Sequence, residues 1–186
     1  MDLGITGRTA IVLGATSGLG AAIAEGLARE GANVVVVGRD ADRAQERAKS
    51  LGTAVAVPAD LTDQDAPTRI VAAAEEAFGP VDILVLNGGG PKPGTAAALT
   101  PADVDSAVSL LVRPHVALVN AVLPGMTDRG WGRIIAVGSS GVQQPLPNLT
   151  ASNLGRAALA GYLKTLAAEV AGNLSLIHIS EPTRPY

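Results

Sequence analysis

Short apolar runs rich in valine, isoleucine and leucine alternate along this chain with longer alanine-rich stretches. In those stretches the apolar positions recur every three or four residues. The short runs are Thr9–Leu13, Asn33–Val37, Ala54–Val57, Val81–Leu86 and Arg133–Val137. Runs this short, built from β-branched and aliphatic side chains, predict strands, and Val81–Leu86 reads as a central strand buried on both faces. The longer stretches predict helices around Ala21–Glu30, Ala41–Leu51, Pro67–Phe78 and Ala151–Ala171, with a further one opened by Thr100-Pro101-Ala102-Asp103 and reaching about Leu123. Thr100 suits the cap, Pro101 the first helical position and Asp103 the first turn. Pro114 is expected to kink that helix, because proline lacks the N–H that the ladder needs. Strands and helices that alternate at these lengths imply right-handed crossovers and an α/β fold with a doubly wound parallel sheet. No internal repeat or low-complexity linker interrupts the pattern.

Composition narrows the class. The chain has 186 residues, enough for one domain with a real core, and 47% of them are hydrophobic against 17% charged, which excludes a disordered chain. Aromatics make up only 2%, so aliphatic side chains must fill the core. The net charge is −3 and no basic run stands out, so nucleic acid is not an expected partner. With no cysteine there is neither a disulfide nor a thiolate metal site, and no metal is expected. Met1–Arg8 lacks the form of a secretory signal, and no apolar stretch reads as long enough to span a membrane. A soluble cytoplasmic protein is the expectation.

The last segment breaks the pattern. Leu174–Tyr186 does not continue the preceding periodicity, and it resembles the translation of a transposase adapter used in sequencing libraries. Residues 1–173 are therefore read as the domain and 174–186 as a non-native tail, so that His178 and Tyr186 carry no functional meaning. Any order in the tail is expected either to pack poorly or to borrow the place of a missing strand.

The first strand runs into Gly14-Ala15-Thr16-Ser17-Gly18-Leu19-Gly20, which opens the first helix. Glycines at this spacing permit a tight turn and let backbone approach a pyrophosphate, whose charge meets the free N–H groups of the helix start. An ordinary strand-to-helix turn is the plainer alternative. The spacing is Gly-x3-Gly-x-Gly, not the commoner Gly-x-Gly-x2-Gly. At the end of the second strand an acid would hydrogen-bond a free ribose 2′-hydroxyl and repel a 2′-phosphate. Gly38 stands there, followed by Arg39, whose guanidinium suits a phosphate in charge and shape, so NADP(H) is favoured over NAD(H). Asp40 next door could blunt that arginine.

Taken together these motifs resemble the short-chain dehydrogenases/reductases over about residues 5–173. Gly14, Thr16, Ser17, Gly18, Leu19 and Gly20 resemble the family's cofactor loop. Asn87-Gly88-Gly89-Gly90 resembles its Asn-Asn-Ala-Gly element in altered form, and Asp60-Leu61 its adenine-side acid. Gly132–Ser139 resembles its fifth strand with the active-site serine. Within the family the 3-oxoacyl thioester reductases look nearest. The resemblance implies a Rossmann fold, a small carbonyl or alcohol substrate, and hydride transfer with a nicotinamide cofactor. It also implies that the sheet ends here after the fifth strand and its helix, short of the family's substrate lid.

The same resemblance exposes a departure. In the family a tyrosine thirteen residues after the serine handles the proton, and a lysine four residues later lowers the phenol's pKa and holds ribose. Ser139 matches the serine, but Ser152 and Arg156 stand at the other two places, and Leu111 holds the place of a helper asparagine. A serine hydroxyl is shorter than a phenol and a weaker acid, and arginine stays charged. Tyr162 is out of register, and His115 and Asn120 read as structural or surface residues. Ser139, Ser152 and Arg156 remain the catalytic candidates, with Arg156 also a ribose contact. Two readings stay open: a divergent NADP(H)-dependent oxidoreductase, or a dinucleotide-binding protein without chemistry that senses redox state or partners another subunit. The resemblance further implies a homodimer or homotetramer of the complete protein, paired through helices that carry Leu118, Val122, Leu159 and Leu163.

Overall fold

The computed structural model of the chain describes residues 3–172 and the strand backbone of 176–180. Five strands stand where the apolar runs predict them: β1 (Thr9–Val12), β2 (Asn33–Gly38), β3 (Ala54–Pro58), β4 (Val81–Leu86) and β5 (Arg133–Val137). A sixth, β6 (Leu176–Ser180), pairs with β5 from Arg133↔Leu176 to Val137↔Ser180. The sheet is parallel throughout, in the order β3-β2-β1-β4-β5-β6. The expectation of a sheet that stops at its fifth strand is thereby corrected. An edge strand presents unpaired backbone N–H and C=O groups, and residues 176–180 satisfy those of β5. The boundary drawn at Asn173 and the tyrosine at 186 lie outside the described residues.

Because successive strand residues point to opposite faces, each run feeds two cores. Ile11, Leu13, Val35, Val37, Leu84 and Leu86 point to one face, under α3 (Ala66–Phe78), α5 (Arg113–Asp128) and α6 (Thr150–Val170). Ala10, Val12, Val34, Val36, Ile83 and Val85 point to the other, under α1 (Gly18–Arg29) and α2 (Ala41–Leu51). Continuous apolar runs are needed because neither face is wet.

The helix expected over residues 101–123 is two helices. α4 (Pro101–Leu111) opens on a capping box, in which Thr100 Oγ1 accepts from the Asp103 N–H at 3.3 Å and Asp103 Oδ2 accepts from the Thr100 N–H at 2.9 Å. It ends at Val112, and α5 restarts with Pro114 in its first turn. The missing proline N–H therefore breaks the helix outright, where a kink was expected. Nδ1 of buried His115 donates to the Leu111 carbonyl at 3.0 Å across the break. The Pro101–Asp128 stretch contains a window of mean hydropathy 1.5, long and apolar enough by length and composition to cross a membrane, contrary to the reading that none exists. In the fold it packs on α3, α6 and β4.

Three of the four residues assigned to a subunit interface are corrected as well. Leu118, Val122 and Leu163 are buried in the protomer's own core, and Leu159 packs against that core. At the end of the sheet where the strands begin, the Asp82 carboxylate ties three elements together. It accepts from the Thr9 N–H at 3.2 Å and pairs with Arg8 at 3.2 Å and Arg129 at 3.6 Å. Arg8 also stacks 4.0 Å over the Trp131 ring.

Candidate active site

All strands run the same way, so the loops that follow them gather at one end of the sheet, where open α/β sheets bind ligands. The turn after β1 is built on glycines for definite reasons. Gly14 has φ 59°, and a β-carbon on it would stand 2.9 Å from Asn87 Nδ2. A β-carbon on Gly20 would stand 2.2 Å from the Gly14 carbonyl oxygen, which no side chain allows. Gly18 has φ 54°, the left-handed region that favours glycine. Asn87 Nδ2 donates to the Leu13 carbonyl at 3.1 Å, joining the ends of β1 and β4.

A groove of 520 Å³ lies over these loops. Of the residues expected to hold a cofactor, Gly14, Thr16, Ser17, Leu19, Arg39, Asp60, Leu61, Asn87, Gly88 and Gly89 line it. Gly18 and Gly20 shape the turn without lining the groove. Gly90, the last residue of the Asn87–Gly90 element, lines it too, as do Ala59, Thr62 and Leu110, which were not singled out from sequence. The Asp-x-Thr spacing after β3 is the one signal that could have found Thr62: Asp60 Oδ1 accepts from its N–H at 2.9 Å and its hydroxyl at 2.8 Å. Those bonds and the Arg39 charge hold the Asp60 carboxyl below the usual carboxylate range, with the backbone bond to Thr62 the largest cause.

The end of β2 is sterically constrained. A β-carbon on Gly38 would stand 2.5 Å from Thr16 Cγ2, so a side chain there requires the Thr16 side chain to move. Asp40, the neighbour that could have blunted Arg39, is committed to α2. Its Oδ1 accepts from the Arg43 N–H at 3.0 Å as the helix cap, and its Oδ2 lies 3.4 Å from Arg43 Nε.

At the other side of the groove, Ser152 Oγ lies 3.9 Å from where a β-carbon on Gly90 would be. Arg156 Nε donates to Ser152 Oγ at 3.3 Å, and Arg156 Nη1 donates to the Val137 carbonyl at the end of β5 at 3.2 Å. Burial pulls the guanidinium's pKa below its ordinary value. Arg156 does not line the large groove. It lines a separate cavity of 20 Å³, room for one water, with Val137, Val142 and Leu163. Ser139 Oγ accepts from the Gly141 N–H at 3.1 Å, which fixes the turn after β5. Leu111 is buried against α6, where a β-carbon on Gly155 would stand 2.8 Å from its Cδ1. Tyr162 is remote from this pair and donates to Asn120 Oδ1 at 3.4 Å on the surface.

The family model for short chain dehydrogenases matches residues 8–180. The chain belongs to that family. Oxidoreductase UcpA of Salmonella typhimurium is 36% identical over 172 residues, which cover 90% of this chain and 65% of the relative. A short chain dehydrogenase of Pseudocercospora fijiensis is 34% identical, with 90% of this chain and 56% of the relative covered. The chain thus spans 56% and 65% of the length of these two curated relatives. Among solved structures, L-sorbose reductase from Gluconobacter frateurii, complexed with NADPH and L-sorbose, has a TM-score of 0.91 at 37% identity, covering 97% of this chain and 71% of that one. A 3-ketoacyl-(acyl-carrier-protein) reductase from Brucella melitensis, complexed with NADH, has a TM-score of 0.87 at 33% identity, covering 94% and 75%. The Rossmann-type sheet and the assignment to a family of nicotinamide-dependent oxidoreductases stand on these matches.

Proposed function

We propose that the chain is the dinucleotide-holding part of an NADP(H)-dependent oxidoreductase that interconverts a carbonyl and an alcohol through a divergent active site. The observation that carries this reading is the glycine cradle. A β-carbon on Gly20 would strike the Gly14 carbonyl oxygen, those on Gly14 and Gly38 would crowd the Asn87 and Thr16 side chains, and the groove beside them is lined by the loop and by Arg39. These features fit a dinucleotide. The loop of Thr16–Leu19 would take the pyrophosphate, Arg39 a 2′-phosphate, Asp60 and Leu61 the adenine side, and Asn87–Gly89 the ribose side. When bound, the nicotinamide supplies or takes up a hydride. Ser139 would polarise the substrate oxygen. Arg156 would orient the Ser152 hydroxyl, while proton handling falls to water or to an acid on the substrate. The neighbours' cofactors, NADPH in one and NADH in another, support a dinucleotide, and Gly38 in place of an acid, with Arg39 on the groove beside it, favours the phosphorylated one.

The second reading, a dinucleotide-binding protein without chemistry, is favoured by one observation: Leu111, Ser152 and Arg156 replace the residues that handle the proton in the family. One set of measurements tests both. Calorimetry should find NADPH bound about tenfold more tightly than NADH, the worth of a charge-assisted phosphate contact, and Arg39→Ala should narrow the gap. With small ketones and 3-oxoacyl thioesters, turnover should be slow or absent, and Leu111→Asn with Ser152→Tyr and Arg156→Lys should raise it. Equal affinities for the two dinucleotides would overturn the cofactor assignment. Turnover by the unaltered protein near the usual range, about 1–10³ per second, would overturn the divergent site.

A further inference from the structure

The hydrogen bonds around Arg156 are one-sided. Ser139 Oγ accepts from a backbone N–H, and Ser152 Oγ accepts from the guanidinium. Each hydroxyl therefore keeps its own proton to donate, and neither has an acceptor for it among the described residues. The guanidinium spends Nε and Nη1 on two neutral oxygens, those of Ser152 and Val137, and leaves Nη2 unused. No carboxylate pairs with Arg156 among the described residues. The rest of its surroundings add no negative charge. Leu111 and Leu159 are apolar, and His115 is held neutral at physiological pH by burial. Two hydroxyl donors and a partly buried cation thus sit around the ends of β5 and α6 with protons to give and no anion to receive them. A partly desolvated cation gains most from a carboxylate, which a guanidinium can grip with two parallel bonds.

We propose that Arg156, with Ser139 and Ser152, forms an anchor for a carboxylate-bearing small molecule, so that the substrate class is an oxo acid or hydroxy acid. This rests on the reading of the large groove as a dinucleotide site and deepens it, because it assigns a pocket rich in donors and lacking an anion a substrate that brings its own negative charge. Ser152 Oγ borders Gly90, a groove-lining residue, so the anchor adjoins the groove without being part of it.

The full chain should be titrated by calorimetry with 2-oxobutyrate and, separately, with butanone, each with and without NADPH. The oxo acid should bind at least about tenfold more tightly than the neutral ketone, the scale of a charge-assisted bond. That preference should disappear in Arg156→Met, survive in part in Arg156→Lys, and shrink with added salt. Ser152→Ala removes one donor without touching the charge and should weaken the oxo acid several-fold, which keeps the test decisive should the methionine variant fail to fold. Equal binding of the two ligands, or no binding of either, would overturn the anchor, as would an oxo-acid affinity indifferent to both substitutions. NADPH titrated alone separates the two ideas: failure to bind it removes the dinucleotide reading, while the oxo-acid arm without NADPH still decides the anchor.

Discussion

Gly38 and His115 illustrate how much a single position can carry. A β-carbon on Gly38 would crowd Thr16 Cγ2 at 2.5 Å, so a side chain at one position displaces the side chain at the other. Gly38→Asp alone should lose affinity for NADPH and NADH alike, whereas Gly38→Asp with Thr16→Gly should bind NADH in preference. A coupling of about 0.5–3 kcal/mol in the resulting double-mutant cycle is expected for residues in contact, and additive effects would refute the linkage. His115 has its pKa pushed down to about 4 by burial first and then by the Arg156 charge, while its bond to the Leu111 carbonyl works the other way. The folded state thus binds fewer protons than the unfolded one between pH 6.5 and about 4. Stability is full above the unfolded value and falls as pH drops through that window, by about 3 kcal/mol at most. Urea unfolding at stepped pH should show the slope, and His115→Gln should flatten it. At this scale the sequence was informative where spacing alone decides. The glycine loop, whose residues line the groove, was legible along the chain. The Gly38–Thr16 conflict and the Arg156–Val137 bond were not, because they join residues far apart in sequence whose separation depends on how strands and helices stack.

Among the elements, the strands were legible almost to the residue because burial on both faces leaves an unbroken apolar run, with Val81–Leu86 and Arg133–Val137 matching their predicted bounds. Helix faces were harder. The apolar stripes of α5 and α6 could be seen, but not whether Leu118 and Leu163 meet the sheet or a second subunit, since burial is chemically alike in both cases. The break between α4 and α5 was half legible: Pro114 marked the place, but a kink and a break differ only in whether the chain before it can rejoin the ladder. The α4–α6 contact gives a sharp test. Gly155 lets Leu111 approach the backbone of α6, and the Ala107 carbonyl lies 3.4 Å from where a β-carbon would stand. Gly155→Ala should therefore destabilise the fold despite its better helix propensity, by about 1–3 kcal/mol of overpacking. A denaturation midpoint that rises would mean the helices can separate at no cost.

For the molecule as a whole, the sheet order puts the chain's beginning at its centre. β1 is flanked by β2 on one side and β4 on the other, and the outer position beside β5 is taken by residues 176–180. Deleting residues 173–186 should uncover the β5 edge, lower the midpoint of thermal unfolding and increase light scattering at micromolar concentration. An unchanged midpoint would mean that this strand contributes nothing. The placement of β1 also has a consequence during synthesis. Its bonds to β4 close over long separations: Asn87 reaches Leu13 across 74 residues, and Asp82 reaches Arg8 across the same number. On a ribosome adding about 5–20 residues per second, the nascent β1 would wait roughly 4–15 s with the flank that β4 later takes unpaired. In that interval the strand that ends deepest in the finished protein is the one most open to a chaperone or to the wrong neighbour.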